Sequence, residues 1–351
     1  MSAAANGSGP VNGAERRGFI TGGSWCVDRN KLIEFWPDED SICEILSEER
    51  RNGGSGSNLA IDMKKLDPKM PVETIAIVGD DDDGRFLQGE ADRYGIDRRQ
   101  MTVSREAPTH YTECFGSKRT GRRTHMTFNG VGANLSPEHF DFSATRTRIA
   151  HLGLPGVHRT MDAPWQGEAN GWVAVLKKAR AAGLMTNIEL VSIEPPRIAA
   201  LARPCLPYLD LMVVNDHEIG AVAGEQTVTA QGTDVEACIR AMRKVLGQGS
   251  LQMVAVHFPK GGLALERDGE LVRQPSLRVP KEEIVGANGA GDAFAAGFLY
   301  GFHEGWAAAE CLALAHAAAG ASLRGISTTG TVEAWQTCLT LASQWGPREA
   351  I

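Results

Sequence analysis

The 351-residue sequence predicts an α/β sandwich, a mostly parallel central sheet between helical layers, with a small β-rich lid. Three observations predict it. From Ile149 onward, apolar runs rich in β-branched residues alternate with stretches of helical periodicity, the rhythm of βαβ units feeding a parallel sheet. Two segments, about 29–52 and 107–130, interrupt the chain with shorter runs that read as strands standing off the core. Hydrophobic residues make up 42% of the chain, enough for a large core.

Residues 1–18, rich in Ala, Gly, Ser and Asn, read as a disordered tail, and 19–345 as one domain with both lid segments inserted. Phe19 to Val27 reads as the first strand, opening into Gly22-Gly23, and Lys31 to Arg51 as short strands. The glycine-rich stretch Asn52 to Asn58 reads as a flexible loop before a helix from Leu59 to Leu66. Val72 to Val78 is a buried strand. The run Gly79-Asp-Asp-Asp-Asp-Gly84 then opens a helix whose acidic first turn suits the helix dipole. That run lacks the alternating ligands and closing Glu of a calcium loop. Thr109 to Phe115 and Arg123 to Phe128 read as a hairpin about Thr120-Gly121. Strands are expected at Ile149 to Leu154, Met185 to Ser192, Leu209 to Val214 and Met253 to His257, and helices at Trp172 to Ala182 and Val235 to Leu246. Asp292 to Leu323 reads as two helices broken near Gly301 to Gly305.

The bulk properties narrow the function. A formal net charge of -7, with both signs spread along the chain, argues against general nucleic-acid binding. The seven cysteines form no C-x-x-C pair and no zinc spacing, so reduced thiols and a cytoplasmic location are expected. No signal-peptide stretch and no 18-residue apolar run occurs, so no membrane span is expected.

The strongest chemical signal is Val285-Gly-Ala-Asn-Gly-Ala-Gly-Asp-Ala-Phe-Ala-Ala-Gly-Phe298. Small residues at 286–291 let the backbone turn tightly and approach a ligand. An apolar helix follows at once, so Gly289, Ala290 and Gly291 would present unpaired N–H groups to an anion. Asp292 beside them could take the proton of an attacking hydroxyl, or it could simply cap its helix.

This string resembles the C-terminal motif of the ribokinase-like (PfkB) carbohydrate kinases, which implies a ribokinase-like three-layer sandwich and ATP-dependent phosphorylation of a sugar or sugar-like hydroxyl, a hydroxymethyl above all. The resemblance makes Gly289, Ala290 and Gly291 the anion hole and Asp292 the base. Gly53-Gly54-Ser-Gly-Ser-Asn58 is similar to the family's N-terminal motif, in which Gly53, Gly54 and Asn58 would contact acceptor hydroxyls. It lacks the third glycine of a dinucleotide fingerprint. Asp28 stands where the family places an acceptor-binding Asp. Asn215-Asp-His-Glu218 resembles its Asn-x-x-Glu motif, so Asn215 and Glu218 would organise Mg2+, largely through water; read alone it is equally a helix cap. Lys260, Gly262 and His316 fall in the expected nucleotide region, and Gly132-Ala133-Asn134 resembles the segment that follows the lid hairpin.

Two features depart from the family's pattern. Gly286-Ala287-Asn288 replaces the common Asp-Thr-Thr or Asp-Thr-Asn, which predicts weak or absent activation by K+. Leu154 leaves no carboxylate where ribose-specific relatives carry one, which disfavours ribose. Asn288 gives the motif a likeness to adenosine kinases, so a nucleoside kinase is the alternative, and a catalytically silent sugar-binding regulator is the alternative of another class. Trp36, His110, Tyr111, Arg122, Arg123 and His125 of the lid could read a sugar, a base or an acidic group. A homodimer through the lid is expected on analogy with relatives.

Overall fold

The computed structural model describes residues 16–120 and 122–351. β1 (Phe19–Gly23) starts the central sheet, and the chain then leaves it for β2 (Cys26–Ile33) and β3 (Ile45–Gly53). It returns through α1 (Ser55–Leu66) to β4 (Val72–Gly79), α2 (Asp82–Arg93) and β5 (Asp97–Ser104), and departs again for β6 (Tyr111–Ser117) and β7 (Arg123–Phe128). Regular alternation follows: β8 (Ile149–Gly153), α3 (Arg159–Asp162), α4 (Gly171–Ala181), β9 (Met185–Ile188), α5 (Pro195–Ala202), β10 (Leu211–Asn215) and α6 (Asp216–Ala223). A ribbon of β11 (Val228–Thr229) and β12 (Gly232–Thr233) precedes α7 (Val235–Gln248) and β13 (Met253–Phe258). β14 (Gly261–Glu266), β15 (Leu271–Pro275), α8 (Ala290–His303), α9 (Ala308–Ser322) and α10 (Trp335–Trp345) close the chain.

The described residues build a nine-stranded sheet in the order β15-β14-β13-β10-β9-β8-β1-β4-β5. It is parallel from β5 to β13, and β14 and β15 add an antiparallel edge. Side chains alternate between its faces. Thus Phe19 enters one core with Leu59, Phe294 and Leu314, while Ile20 enters the other with Leu152, Trp172 and Val254. The lid is a second sheet, β3-β2-β6-β7. Asp81 ties it down: its carboxylate caps α2 at Gly84 N (2.7 Å) and accepts from Thr109 N (2.7 Å) at the foot of the hairpin.

Three expectations need correction. The run 19–27 is not one strand. Gly23 has φ +134°, where a side chain would collide with the Gly153 backbone, and the chain crosses there into the lid. Asp28 therefore sits inside β2 of the lid, not at the end of a central strand. The stretch 52–58 is not a flexible loop: Gly54 (φ +89°) starts α1, and Ser55 to Asn58 are buried in its first turn. Arg16 to Gly18 are held rather than loose. The Arg16 guanidinium donates to the carbonyls of Thr145, Thr147 and Ala182, and Gly18 N–H donates to His303 Nε2 at 2.7 Å. Residues 1–15 of the expected tail, and Gly121 of the expected turn, lie outside the described residues. Among the described residues no helix is long and apolar enough to cross a membrane.

Candidate active site

The site forms where α8 begins, at the C-terminal ends of the parallel strands and under the lid. Gly289 (φ +77°) precedes the helix, and a Cβ there would collide with the backbone of Thr328. The helix starts with Ala293 N–H donating to Gly289 O at 2.9 Å, which places Asp292 in the first turn rather than at the cap. The Ala290 N–H reaches Ala287 O only at 3.4 Å. The N–H groups of Gly291 and Asp292 find no acceptor among the described residues. A helix N-terminus with unspent donors is an anion site.

Asp292 Oδ2 accepts from Asn58 Nδ2 at 2.9 Å. Asn58 is fixed in turn, because its Oδ1 accepts from Thr328 Oγ1 (2.9 Å) and Asn52 Nδ2 (3.2 Å). The N-terminal glycine motif, α1, the 326–330 loop and α8 are thus joined at one carboxyl group. Gly53 and Gly54 have packing reasons to be glycine: a Cβ on Gly53 would strike the Asp28 carboxyl, and one on Gly54 would lie 2.6 Å from Ser24 O. Burial pushes Asp28 up to about 7, and the Asp292 charge adds to the effect. Burial also drives Asp292 well above the usual carboxylate range, and the adjoining Glu189 charge drives it further.

The sequence reading missed Glu189. It follows β9 directly, its N–H donates to Leu152 O at 2.8 Å, and burial pushes its carboxyl up to about 7. Its Oε2 lies 2.9 Å from the fully buried His151 Nε2, and its charge is the one that raises Asp292 beyond the effect of burial. The missed signal was strand length. The strand was expected to run to Ser192 but stops at Ile188, so Glu189 falls at the strand end that faces the ligand crevice.

On the other side of the α8 terminus lies a cavity of about 540 Å3, reached by Ala290 and Gly291 and walled by His257, Phe258, Phe294 and His316. Burial pushes both histidines down to about 4, so they are neutral near pH 7. Gly262 lies against His316, where an added Cβ would be 3.1 Å from Nε2. Lys260 is exposed on the turn before β14 and lines no part of this cavity. Asn215 reaches its edge, tied to the buried Glu218 in a reciprocal cap of α6: Glu218 N donates to Asn215 Oδ1 (2.8 Å), and Asn215 N donates to Glu218 Oε2 (3.1 Å). Ser192 Oγ donates to the other Glu218 oxygen at 3.1 Å. A larger apolar groove of about 840 Å3 lies between α5 and α6, outside the Asp292 site.

Arg123 of β7 leans from the lid onto the glycine turn, where a Cβ on Gly286 would collide with its guanidinium. No carboxylate among the described residues forms an ion pair with it. Lys65 of α1 donates to the carbonyls of Thr329 and Gly330 (2.8 Å to the latter), behind the same turn.

Comparison with known proteins identifies the family and the fold. Residues 25–335 match the family described as pfkB family carbohydrate kinase. A 5-dehydro-2-deoxygluconokinase of Bacillus velezensis is 25% identical over 309 residues, covering 81% of this chain and 81% of that protein. An adenosine kinase of Schizosaccharomyces pombe is 29% identical over 276 residues, covering 75% of this chain and 77% of that one. In structure, ribokinase of Arabidopsis thaliana, solved with ribose and ATP, superposes with a TM-score of 0.73 at 21% identity, over 93% of this chain and 99% of the other.

Proposed function

The chain belongs to the pfkB carbohydrate kinase family, and we propose that, as an ATP-dependent sugar or nucleoside kinase, it phosphorylates a hydroxymethyl group of a neutral polyol, with Asp292 as the base. One observation carries the reading: the Asp292 carboxyl adjoins the unspent N–H groups that open α8, where the acidic acceptor side meets the apolar cavity. The acceptor oxygen would lose its proton to Asp292 and form a bond to the γ-phosphorus. The bond to the β–γ bridging oxygen breaks, and ADP leaves. The N–H groups of Gly291 and Asp292 stabilise charge gathering on the transferred group, and Gly289 sets the turn that aims them.

The nucleotide base would lie between Phe294, His257 and His316, with Gly262 making room for the last. Mg2+ would neutralise the nucleotide phosphates. Asn215 and Glu218 fit an outer role toward it, because their facing atoms are already engaged in the α6 cap and leave contact through water. Arg123, with its guanidinium on the glycine turn, is placed to meet phosphate oxygens when the lid covers the site.

Neutrality of the acceptor follows from charge. Asp28, Glu189 and Asp292 line its side, and the nearby Arg29 is spent on Asp83 and Glu113. Among the described residues the cation free to face this side is Arg123, which the phosphate oxygens would engage, so a carboxylate or phosphate on the acceptor would meet mostly like charge. The likeness to an adenosine kinase and the presence of Asn288 keep a nucleoside as the second reading. A thermal-shift and ADP-release screen over neutral sugars, nucleosides and acidic sugars tests both. Turnover with a neutral sugar or a nucleoside is expected. Turnover with acidic sugars alone would overturn the neutral-acceptor reading, and binding without ADP release from any acceptor would mark a silent regulator.

Asp28→Asn is expected to raise the acceptor KM about tenfold or more while kcat falls less. It should also change the pH dependence of stability. A carboxyl at about 7 in the folded state and about 4 unfolded stabilises the fold below pH 4 and loses that contribution as pH rises through 7. The wild-type Tm should therefore drop between about pH 4.5 and pH 7.5 by more than that of Asp28→Asn, as read by scanning fluorimetry; equal drops would contradict the assignment.

Replacing Na+ with K+ should change kcat by less than about twofold. The carbonyls of Thr329 and Gly330 behind the glycine turn are already held by an internal cation, Lys65, and the sequence there lacks the family's Asp-Thr pair. A tenfold rise in K+ would contradict this.

A further inference from the structure

The loop between α9 and α10 has no regular structure, and residues 326–331 make no backbone-to-backbone hydrogen bond among the described residues. Side-chain hydrogen bonds hold it instead. Thr328 Oγ1 donates to Asn58 Oδ1 at 2.9 Å, and Thr331 Oγ1 donates to Ser322 O at 3.1 Å. The charged tie, among the described residues, is Lys65, which donates to the carbonyls of Thr329 and Gly330, the latter at 2.8 Å.

This loop backs both halves of the proposed machinery. Thr328 fixes Asn58, whose amide donates to Asp292 Oδ2. The Thr328 backbone also abuts Gly289, where an added Cβ would lie 2.3 Å from Thr328 O. A shift of the loop therefore moves the base and the anion hole together. The helix α1 grips the loop at two points. Asn58 and Lys65 are seven residues apart, so they share a face of the helix, about 10 Å from each other. Lys65 forms no ion pair with a carboxylate among the described residues. Glu333, just past the loop, is paired with Arg324, and Asp62 of α1 is fully buried with neither oxygen hydrogen-bonded. The Lys65 ammonium is spent on the two carbonyls, and such charge-assisted bonds are stronger than neutral ones.

We propose that Lys65 is a positioning residue for phosphoryl transfer: by holding the Thr329 and Gly330 carbonyls it fixes the loop on which Asn58, Asp292 and the Gly289 turn rest. Lys65 does not wall the nucleotide cavity and makes no hydrogen bond to Asp292, so its effect reaches the chemistry through the loop. This role rests on Asp292 and the α8 donors being the machinery, and it names what keeps the two in register.

The test is Lys65→Ala, assayed with ATP and the best neutral acceptor of the screen, with and without propylammonium, which matches the atoms removed beyond Cβ. The kcat should fall about tenfold to a hundredfold with ATP affinity near wild type, and propylammonium should restore at least about threefold. Tetramethylammonium at the same ionic strength carries charge but no N–H donor and should restore nothing. Lys65→Met keeps an apolar stem and serves if Lys65→Ala fails to fold; it should lose kcat to the same extent. Lys65→Arg keeps a donating cation and should stay within about fivefold of wild type. Lys64→Ala is the control: Lys64 donates to Pro68 O (2.6 Å) and Met70 O (3.1 Å), away from the loop, so its loss should cost stability but not kcat. Wild-type kcat in Lys65→Ala or Lys65→Met, a loss that neither propylammonium nor Lys65→Arg repairs, or an equal loss in Lys64→Ala overturns the proposal. Asp292→Asn measured alongside separates the two claims. Full turnover there removes the base itself, whereas a slow Asp292→Asn beside an unimpaired Lys65→Ala removes only the role of Lys65.

Discussion

Asp292→Asn is expected to lower kcat by roughly 10²–10⁴-fold and to leave ATP affinity near the wild-type value. The two effects separate because Asp292 does not wall the 540 Å3 cavity assigned to the nucleotide, although Ala290 and Gly291 do. An Asn side chain fits the same space, and its carbonyl can accept the hydrogen bond from Asn58 Nδ2. It cannot take a proton from an alcohol. The expected protein is therefore well folded, binds ATP and turns over very slowly, as measured by coupled ADP release and by nucleotide titration. A large loss of ATP affinity with little loss of kcat would place Asp292 in nucleotide binding instead.

Gly289→Val should cost kcat about 10²–10³-fold, the usual penalty for losing preorganised donors to a developing anion. Gly289 has φ +77°, and a Cβ would enter the Thr328 backbone, so the turn that aims the Gly291 and Asp292 N–H groups must shift. A Tm lowered by a few degrees should accompany the loss. Gly305→Val provides the control. Gly305 has a similar φ of +80° with no atom within 4 Å of an added Cβ, and it lies in the α8–α9 turn. It bears the same backbone strain without touching the site. Comparable Tm losses with activity lost only in Gly289→Val would locate the effect in the anion hole. Equal activity in both variants would deny the turn that role.

The parallel βαβ body was legible because period and spacing carry it: β4, β8, β10, β13 and their helices arise from local apolar pattern. The α8 turn was legible for a similar reason, since glycine at 286, 289 and 291 before an apolar helix has few other uses. What escaped the sequence was nonlocal. Gly23 looks like any strand-end glycine until the Gly153 backbone is seen against it, and so the lid placement of Asp28 was hidden. Ser55 to Asn58 read as a loop because Gly and Ser disfavour helices intrinsically, and burial of that first turn overrides the propensity. Glu189 is an ordinary strand residue in sequence; only the register of β8 beside β9 brings His151 opposite Asn187 and sets the Glu189 carboxyl 2.9 Å from His151 Nε2. Lys260 failed to line the cavity for the converse reason: a turn lysine is drawn outward by its own solvation.

The most direct measurement is a single-turnover transfer of the γ-phosphoryl group, with enzyme and ATP in excess over the best neutral acceptor, in wild type and Asp292→Asn. The transfer step itself should slow at least about a hundredfold in the variant, with all the acceptor still bound. Equal single-turnover rates in the two proteins would show that the hydroxyl loses its proton without this carboxylate.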